Sequence, residues 1–204
     1  MAPRTPLRHP KRYFEERGFR FDPAVFALAG SLAVVALALV GFGLLLAAKL
    51  SAAGHGDVTS ELWGALVGQL VGLVFLTALG WLILTAIIHV VARAALSHDG
   101  RFGATLTITA WGFVPTVVPT VVGFAALLFT LSNVTVSTPA AFLADFEQAF
   151  ADTLPIRIAV GFLATGWQAY IYTHGLAVEF DASTESAGLL AVVVAYSFWL
   201  LGLI

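Results

Sequence analysis

The sequence predicts an all-α membrane protein, a polytopic bundle of five transmembrane helices. Hydrophobic residues make up 59% of the chain and charged residues only 11%, whereas soluble domains carry about 25% charged residues. Five apolar stretches approach or exceed the roughly 20 residues that a helix needs to cross a bilayer. Basic residues concentrate on alternate connections between these stretches, which gives the predicted bundle an orientation.

The predicted spans lie at about residues 24–48, 62–91, 104–131, 156–178 and 187–204. The first span has a basic flank, as signal peptides do, but its apolar length exceeds the h-region of a signal peptide. We therefore interpret it as a spanning helix. The spans show no obvious internal repeat, so the sequence does not indicate an inverted-repeat transporter.

Basic residues predict which side of the membrane each end occupies. Six of them precede the first span, and Arg93 and Arg101 lie between the second and third spans. With five spans these segments share one side, which then holds eight basic residues against Lys49 and Arg157 on the other. Short cytoplasmic loops retain Lys and Arg, so the N-terminus is predicted inside and the C-terminus outside. The last inner loop is acidic, against this pattern, and contains Glu179, Asp181 and Glu185.

Residues 1–22 are predicted to form a cytoplasmic basic segment on the inner membrane surface. Tyr13, Phe14 and Phe19 alternate there with basic residues, which is typical of an amphipathic segment at a membrane. Each cation near an anionic leaflet contributes about 1 kcal/mol of binding. The residues expected to contact anionic lipid headgroups are Arg8, Lys11, Arg12, Arg17 and Arg20.

The long connection between the third and fourth spans contains an amphipathic helix pattern. Phe142, Phe146 and Phe150 recur at helical spacing, as in a helix that lies in the interface plane. A helix that caps the bundle by packing on protein explains the same spacing, and both interpretations stay open. The triplet Asn133-Val134-Thr135 in this loop is a glycosylation sequon.

No pattern for catalysis, cofactor binding or metal binding is found. The chain has no cysteine, and no Asp or Glu falls in the middle of a predicted span. HExxH, Walker-type and GxSxG motifs are missing from the sequence. We therefore expect no enzymatic activity, no cofactor, no metal site and no nucleic-acid partner.

Two glutamines and two histidines within the spans are candidate functional positions. Gln69 and Gln168 are interpreted as interhelical hydrogen-bonding groups, with a substrate path as the alternative. His89 and His174 lie near the predicted cytoplasmic ends of their spans. We interpret them as histidines bonded to backbone carbonyls or headgroups; a metal site or a pH-sensitive pair is the alternative.

The third span is predicted to be kinked and to be the structural hub. Pro115 and Pro119 each remove an intrahelical hydrogen bond near its middle. Thr105 and Thr107 are expected to bond back to the preceding turn. Unpaired carbonyls in hydrocarbon are costly, so the kink should face protein. The candidate donors to it are Thr116, Thr120, Gln69 or Gln168.

Three stretches of the sequence resemble the Yip1-domain family of membrane proteins, in its short prokaryotic and archaeal form. Residues 7–14 (LRHPKRYF) resemble its entry motif, a proline with basic residues followed by two aromatics before the first span. Residues 98–106 (HDGRFGATL) and 112–115 (GFVP) resemble its glycine-containing loop and the aromatic-x-x-Pro step that follows. A weaker match is Trp167 with His174-Gly175-Leu176.

The resemblance implies a five-span membrane domain over residues 23–204 with the N-terminus inside and the C-terminus outside. Eukaryotic members act in membrane traffic and interact with small GTPases, and their DLYGP-like motif is not in this sequence. We expect a non-catalytic interaction or membrane-organising component of a prokaryotic plasma membrane, with a membrane-protein partner or a homo-oligomer among its contacts. A small-solute transporter or channel subunit is the alternative, and an intramembrane enzyme comes third.

Overall fold

The regular structure of the described residues is entirely helical. The computed structural model describes residues 3–96, 99–132 and 138–203; the sequon at 133–135 and His98 lie outside them. A short 3-10 turn, Gly56–Val58, precedes α3. The helices are α1 (Pro10–Arg17), α2 (Phe21–Ala52), α3 (Thr59–Ala95), α4 (Phe102–Gly112), α5 (Val117–Ser132), α6 (Pro139–Asp152), α7 (Leu154–Glu179) and α8 (Thr184–Leu201). The predicted all-α class is confirmed.

Four segments of the described chain are long and apolar enough to cross a membrane. They are Phe21–Ala52, Gly56–Ala95, Phe102–Ser132 and Thr184–Leu201. Helix α7 is long and apolar enough only when it is joined to the end of α6. The axes of these two helices differ by 43° at the break between them. The described residues therefore contain four candidate spans, or five if this bent pair is one span.

Local sequence sets several helix boundaries. Helix α1 begins at Pro10, which lacks the N–H that an N-terminal turn leaves unpaired. It ends at Arg17 and is followed by Gly18, whose φ of 65° favours glycine. The Thr138 and Ser183 hydroxyls accept hydrogen bonds from backbone N–H groups three residues ahead, which caps α6 and α8.

The spanning helices run up and down, and contacts between distant residues identify the two ends of the bundle. At one end, called here the α1 end, the Arg101 guanidinium lies over the Phe19 ring and pairs with Glu179. At the other, the far end, Lys49 donates a hydrogen bond to the Ser132 carbonyl at 3.2 Å. Helix α4 packs against α2, α3 and α7, and α7 packs against α8 along most of its length.

The larger of the two hydrophobic clusters fills the α1 half of the bundle. The Tyr13 and Phe14 side chains of α1 belong to it, together with Ile108, Tyr172 and Phe180. A smaller cluster at the far end joins α5 and α6. On α3, by contrast, many large apolar side chains are exposed, as expected for a lipid-facing surface. They include Val67, Val71, Val74, Phe75 and Leu76.

The third predicted span is interrupted at its prolines, and Pro115 is buried in the bundle. Helix α4 ends at Gly112, and α5 begins at Val117. Pro115 has no N–H to donate to the Trp111 carbonyl. That carbonyl accepts a hydrogen bond from the Val114 N–H instead, at 3.2 Å. Tight i→i−3 hydrogen bonds of this kind carry the chain across the break.

Of the four side chains considered as hydrogen-bond donors at this break, the two threonines donate there. The Thr116 hydroxyl donates to the Phe113 carbonyl at 2.7 Å, and Thr120 donates to the Thr116 carbonyl at 3.2 Å. The two alternative donors, Gln69 and Gln168, do not donate at the break in the part of the chain that the structure describes. Gln69 is exposed on the outer surface of α3, and the Gln168 amide donates to the Tyr172 hydroxyl. Local turns satisfied the freed carbonyls, so no amide from another helix was needed.

Helix α6 packs on protein through part of the predicted aromatic face. Phe142 and Ala149 are buried against Leu127 and Leu131 of α5. Phe146 is partly buried beside them. This packing agrees with the interpretation of α6 as a helix that caps the bundle.

Candidate functional site

Three threonines on α4 form a buried row of hydroxyl groups. Thr105, Thr107 and Thr109 have no exposed surface. The Thr107 hydroxyl donates to the Gly103 carbonyl at 3.0 Å, and Thr109 donates to the Thr105 carbonyl at 3.0 Å. Thr105 makes a longer contact of 3.4 Å with the Arg101 carbonyl. The back-bonding expected for Thr105 and Thr107 is therefore observed.

The same hydroxyl groups join α4 to α3. Thr109 lies 2.7 Å from the Thr85 hydroxyl and accepts a hydrogen bond from the Trp81 indole N–H at 3.0 Å. One turn nearer the α1 end, His89 Nδ1 lies 3.0 Å from the Thr105 hydroxyl. We call Trp81, Thr85, His89, Thr105 and Thr109 the α3–α4 polar seam. Its polar groups satisfy one another inside the protein.

The two candidate histidines have separate surroundings. The His89 ring meets the Phe102 ring edge-on, with centroids 5.4 Å apart. His174 lies on α7, its ring edge-on to Tyr170, and its Nδ1 is buried without a hydrogen-bond partner in the described residues. No hydrogen bond joins the two histidines in the described chain, and no group of three His, Cys, Asp or Glu residues there is placed to hold a metal ion.

An ion pair closes the α1 end of the bundle. Glu179, the last residue of α7, has a buried side chain that is only 5% exposed. Its carboxylate accepts from the Arg101 backbone N–H at 2.7 Å and from two guanidinium nitrogens at 3.1 Å. These hydrogen bonds raise the pKa of Arg101 above its usual value. The acidic residue that did not fit the charge pattern therefore fixes the start of α4.

The N-terminal segment is docked along α7. The Trp167 indole N–H donates to the Leu7 carbonyl at 2.8 Å, and the Tyr170 hydroxyl donates to the Arg8 carbonyl at 3.5 Å. Tyr13 is 1% and Phe14 2% exposed. Burial raises the pKa of Tyr13, so its phenol remains neutral.

This docking places the aromatic and basic side chains of α1 on different surfaces. Tyr13 meets Trp111 of α4 edge-on, with ring centroids 5.8 Å apart. The aromatic side chains, which were expected at a lipid surface, thus pack inside the bundle. The side chains predicted to bind anionic lipid are all exposed: Arg8, Lys11, Arg12, Arg17 and Arg20.

A cavity of about 180 Å³ lies between α2, α3 and α5 beside the proline break. Its polar lining atoms are mainly hydroxyls that already donate to backbone carbonyls. Ser31 donates to the Ala27 carbonyl at 2.9 Å, and Thr116 and Thr120 bond within their own turns. The remaining lining is apolar, with Leu28 and Phe113 among its residues.

Comparison with known proteins identifies one family. The family model described as the Yip1 domain matches residues 5–204. No curated protein matches the chain. No solved structure matches it either.

Proposed function

Because this chain belongs to the Yip1 domain family, we propose that it is a non-catalytic interaction or membrane-organising component of a prokaryotic cell membrane. The observation that carries this proposal is the α3–α4 polar seam. Its hydroxyl, indole and imidazole groups bond to one another and to backbone carbonyls. Polar groups that are paired in this way offer few ligands to a solute passing along the seam.

The pairing of internal polar groups also disfavours the alternative, a small-solute transporter or channel subunit. A carrier should present polar groups along one face of two or more helices at mid-membrane depth. Gln168 is buried and bonded to Tyr172, and Gln69 is exposed on the outside of α3. Three hydroxyls of the cavity beside the proline break donate to backbone carbonyls three or four residues away, those of Ser31, Thr116 and Thr120.

Lipid organisation is supported by the exposed basic side chains of α1. Lys11 and Arg12 form i,i+4 pairs with Glu15 and Glu16, at 3.9 and 2.6 Å. Both pairs are exposed, where such contacts contribute little and lipid phosphates compete with them. The buried Tyr13 and Phe14 rings hold α1 on the bundle, so its cations have a fixed position relative to the spans. We propose that they gather anionic lipid headgroups at the cytoplasmic surface.

The test uses the full chain in vesicles that contain a self-quenching, headgroup-labelled anionic lipid. We expect the protein to increase quenching, and we expect added salt to reverse the increase. Replacing Arg8, Arg17 and Arg20 by Gln should remove at least half of the effect. The matched control neutralises three exposed residues elsewhere, Asp57→Asn, Glu61→Gln and Glu147→Gln, and should retain it. Equal quenching by the basic-segment variant and the wild type would refute the lipid-organising role.

A second measurement separates the two functions. Vesicles that contain the protein are loaded with small ions, sugars or amino acids, and efflux is compared with protein-free vesicles. The proposal expects equal rates. A protein-dependent, saturable efflux would instead support the transporter.

A further inference from the structure

A cleft near the far end of the bundle has an arginine side chain on one wall. Its volume is about 220 Å³, and it lies between α5 and the junction of α6 with α7. The α5 wall includes Pro119, Gly123 and Leu127, and Phe150 and Arg157 lie opposite. The lining is largely apolar, so Arg157 supplies its charge.

The Arg157 side chain is held in a defined position by two neighbours. Its Cγ would lie 3.2 Å from a Cβ atom at Gly123, so the absence of a side chain there lets the arginine stem pack directly on α5. Its guanidinium carbon lies 4.1 Å from the centre of the Phe150 ring, within the range of a cation–π contact. Both contacts orient the group without neutralising its charge.

The break between α6 and α7 brings Phe150 and Arg157 together. The Thr153 hydroxyl donates to the Phe150 carbonyl at 2.8 Å and ends α6. The chain then bends by 43° into α7. The ring at the end of one helix therefore faces the guanidinium in the first turn of the next.

No carboxylate in the part of the chain that the structure describes offsets the charge of the guanidinium. In the described residues, no carboxylate lies within ion-pair distance of Arg157, and its side chain makes no hydrogen bond to another residue. Charged groups within a membrane protein are costly unless they reach an anion or the interface. A planar guanidinium with five N–H donors fits the oxygens of a phosphate group.

We infer that this cleft binds a phospholipid, with the phosphate on the Arg157 guanidinium and an acyl chain along the apolar wall of α5. The apolar side chains of the cleft match hydrocarbon, and the cation matches the negative phosphate. The cleft belongs to the far end of the bundle, whereas the basic residues of α1 lie at the opposite end. The site is therefore independent of the proposed function.

The test titrates the delipidated, detergent-solubilised full chain with dioctanoyl phosphatidylglycerol and counts bound lipid by native mass spectrometry. The wild type should bind one lipid that Arg157→Gln binds about tenfold more weakly, the scale of losing a charge-assisted hydrogen bond. Arg157→Lys should fall between the two, because it keeps the charge and loses the planar donor pair. Lys49→Gln, which neutralises another cation of the far end, is the matched control and should bind as the wild type does.

Two further ligands test whether binding needs both the phosphate and the acyl chain. Dioctanoylglycerol, which lacks the phosphate, should bind about tenfold more weakly to the wild type. Inorganic phosphate at equal concentration should not displace the lipid, because it lacks the acyl chain. The inference is overturned if Arg157→Gln binds phosphatidylglycerol as tightly as the wild type. It is equally overturned if dioctanoylglycerol binds as well as the phospholipid, or if inorganic phosphate displaces the phospholipid at equal concentration.

Discussion

At the scale of single residues, the close approach of α4 and α7 depends on glycine. A Cβ atom at Gly112 would overlap the ring of Tyr172, and one at Gly175 would lie 2.8 Å from Ile108. Tyr172 and Ile108 have no exposed surface, so neither has room to move aside. Small residues at helix contacts are the usual way for membrane helices to pack closely.

Gly112→Ala should therefore destabilise the protein, by about 1–3 kcal/mol, the usual cost of overpacking a core. Gly103→Ala in the same helix is the matched control, because a Cβ atom there meets nothing within 4 Å. The control should be neutral or slightly stabilising, since Ala favours helix more than Gly does. Unfolding in mixed micelles with increasing dodecyl sulfate measures both. Equal stability of the two variants would contradict this account of the contact.

A second prediction concerns the hydroxyl pair of the α3–α4 polar seam. Thr85→Val and Thr109→Val each remove one side of a 2.7 Å contact between buried groups. The double-mutant cycle should give a coupling free energy of about 0.6 kcal/mol, typical of interhelical hydrogen bonds in membranes. Thr107→Val is the control partner, because its hydroxyl bonds only within α4. A cycle of Thr85→Val with Thr107→Val should show no coupling.

At the scale of helices, the break between α4 and α5 follows from Pro115. Restoring an N–H at this position by Pro115→Ala allows a regular hydrogen bond to the Trp111 carbonyl, and α4 should then continue into α5. Spin labels on cysteines introduced at Gly103 and Ala125 report this change, because the native chain has no cysteine. An uninterrupted helix places these backbone positions about 33 Å apart. The variant should move the measured distance toward that value.

The comparison for Pro115→Ala is Leu76→Ala on the exposed face of α3, where the side chain is 66% exposed. Pro115 is buried, so its replacement should disturb packing and lower stability more than the loss of the leucine. If the label distance stays unchanged and the two variants are equally stable, the break does not depend on the proline.

Features of these helices could be predicted from the sequence where they depend on residues that are close together in it. Apolar length and the missing N–H of Pro115 act within a few residues, so the apolar stretches and the interruption are visible in the sequence. Tyr13 and Phe14 suit lipid and protein equally well, and Trp111, which decides between them, is remote in the sequence. The ion pair of Glu179 could not be predicted for the same reason, because its partner Arg101 lies 78 residues away in the sequence. Gln69 has an amide of the same kind as Gln168, and only packing distinguishes them.

At the scale of the whole molecule, the up-and-down bundle predicts which residues share a side of the membrane. Glu16 and Glu185 lie at the α1 end, and Asp57 and Glu147 lie at the far end. Each of these positions can be replaced by a single cysteine, because the native chain has none. With the N-terminus inside, a membrane-impermeant thiol reagent should label Asp57→Cys and Glu147→Cys in intact cells. It should label Glu16→Cys and Glu185→Cys only after permeabilisation. The reverse pattern would invert the predicted orientation, and a mixed pattern would change the number of spans.

The docking of the N-terminal segment also fixes an order of events during synthesis. Leu7 is bonded to Trp167, a residue that the ribosome adds 160 positions later. Until α7 has been translated and inserted, the Tyr13 and Phe14 rings have no α7 surface to cover them. Contacts between such distant parts of a chain form slowly, because a long loop must close first. The segment around Leu7 is thus translated well before α7 and is among the last parts of the bundle to reach its final position.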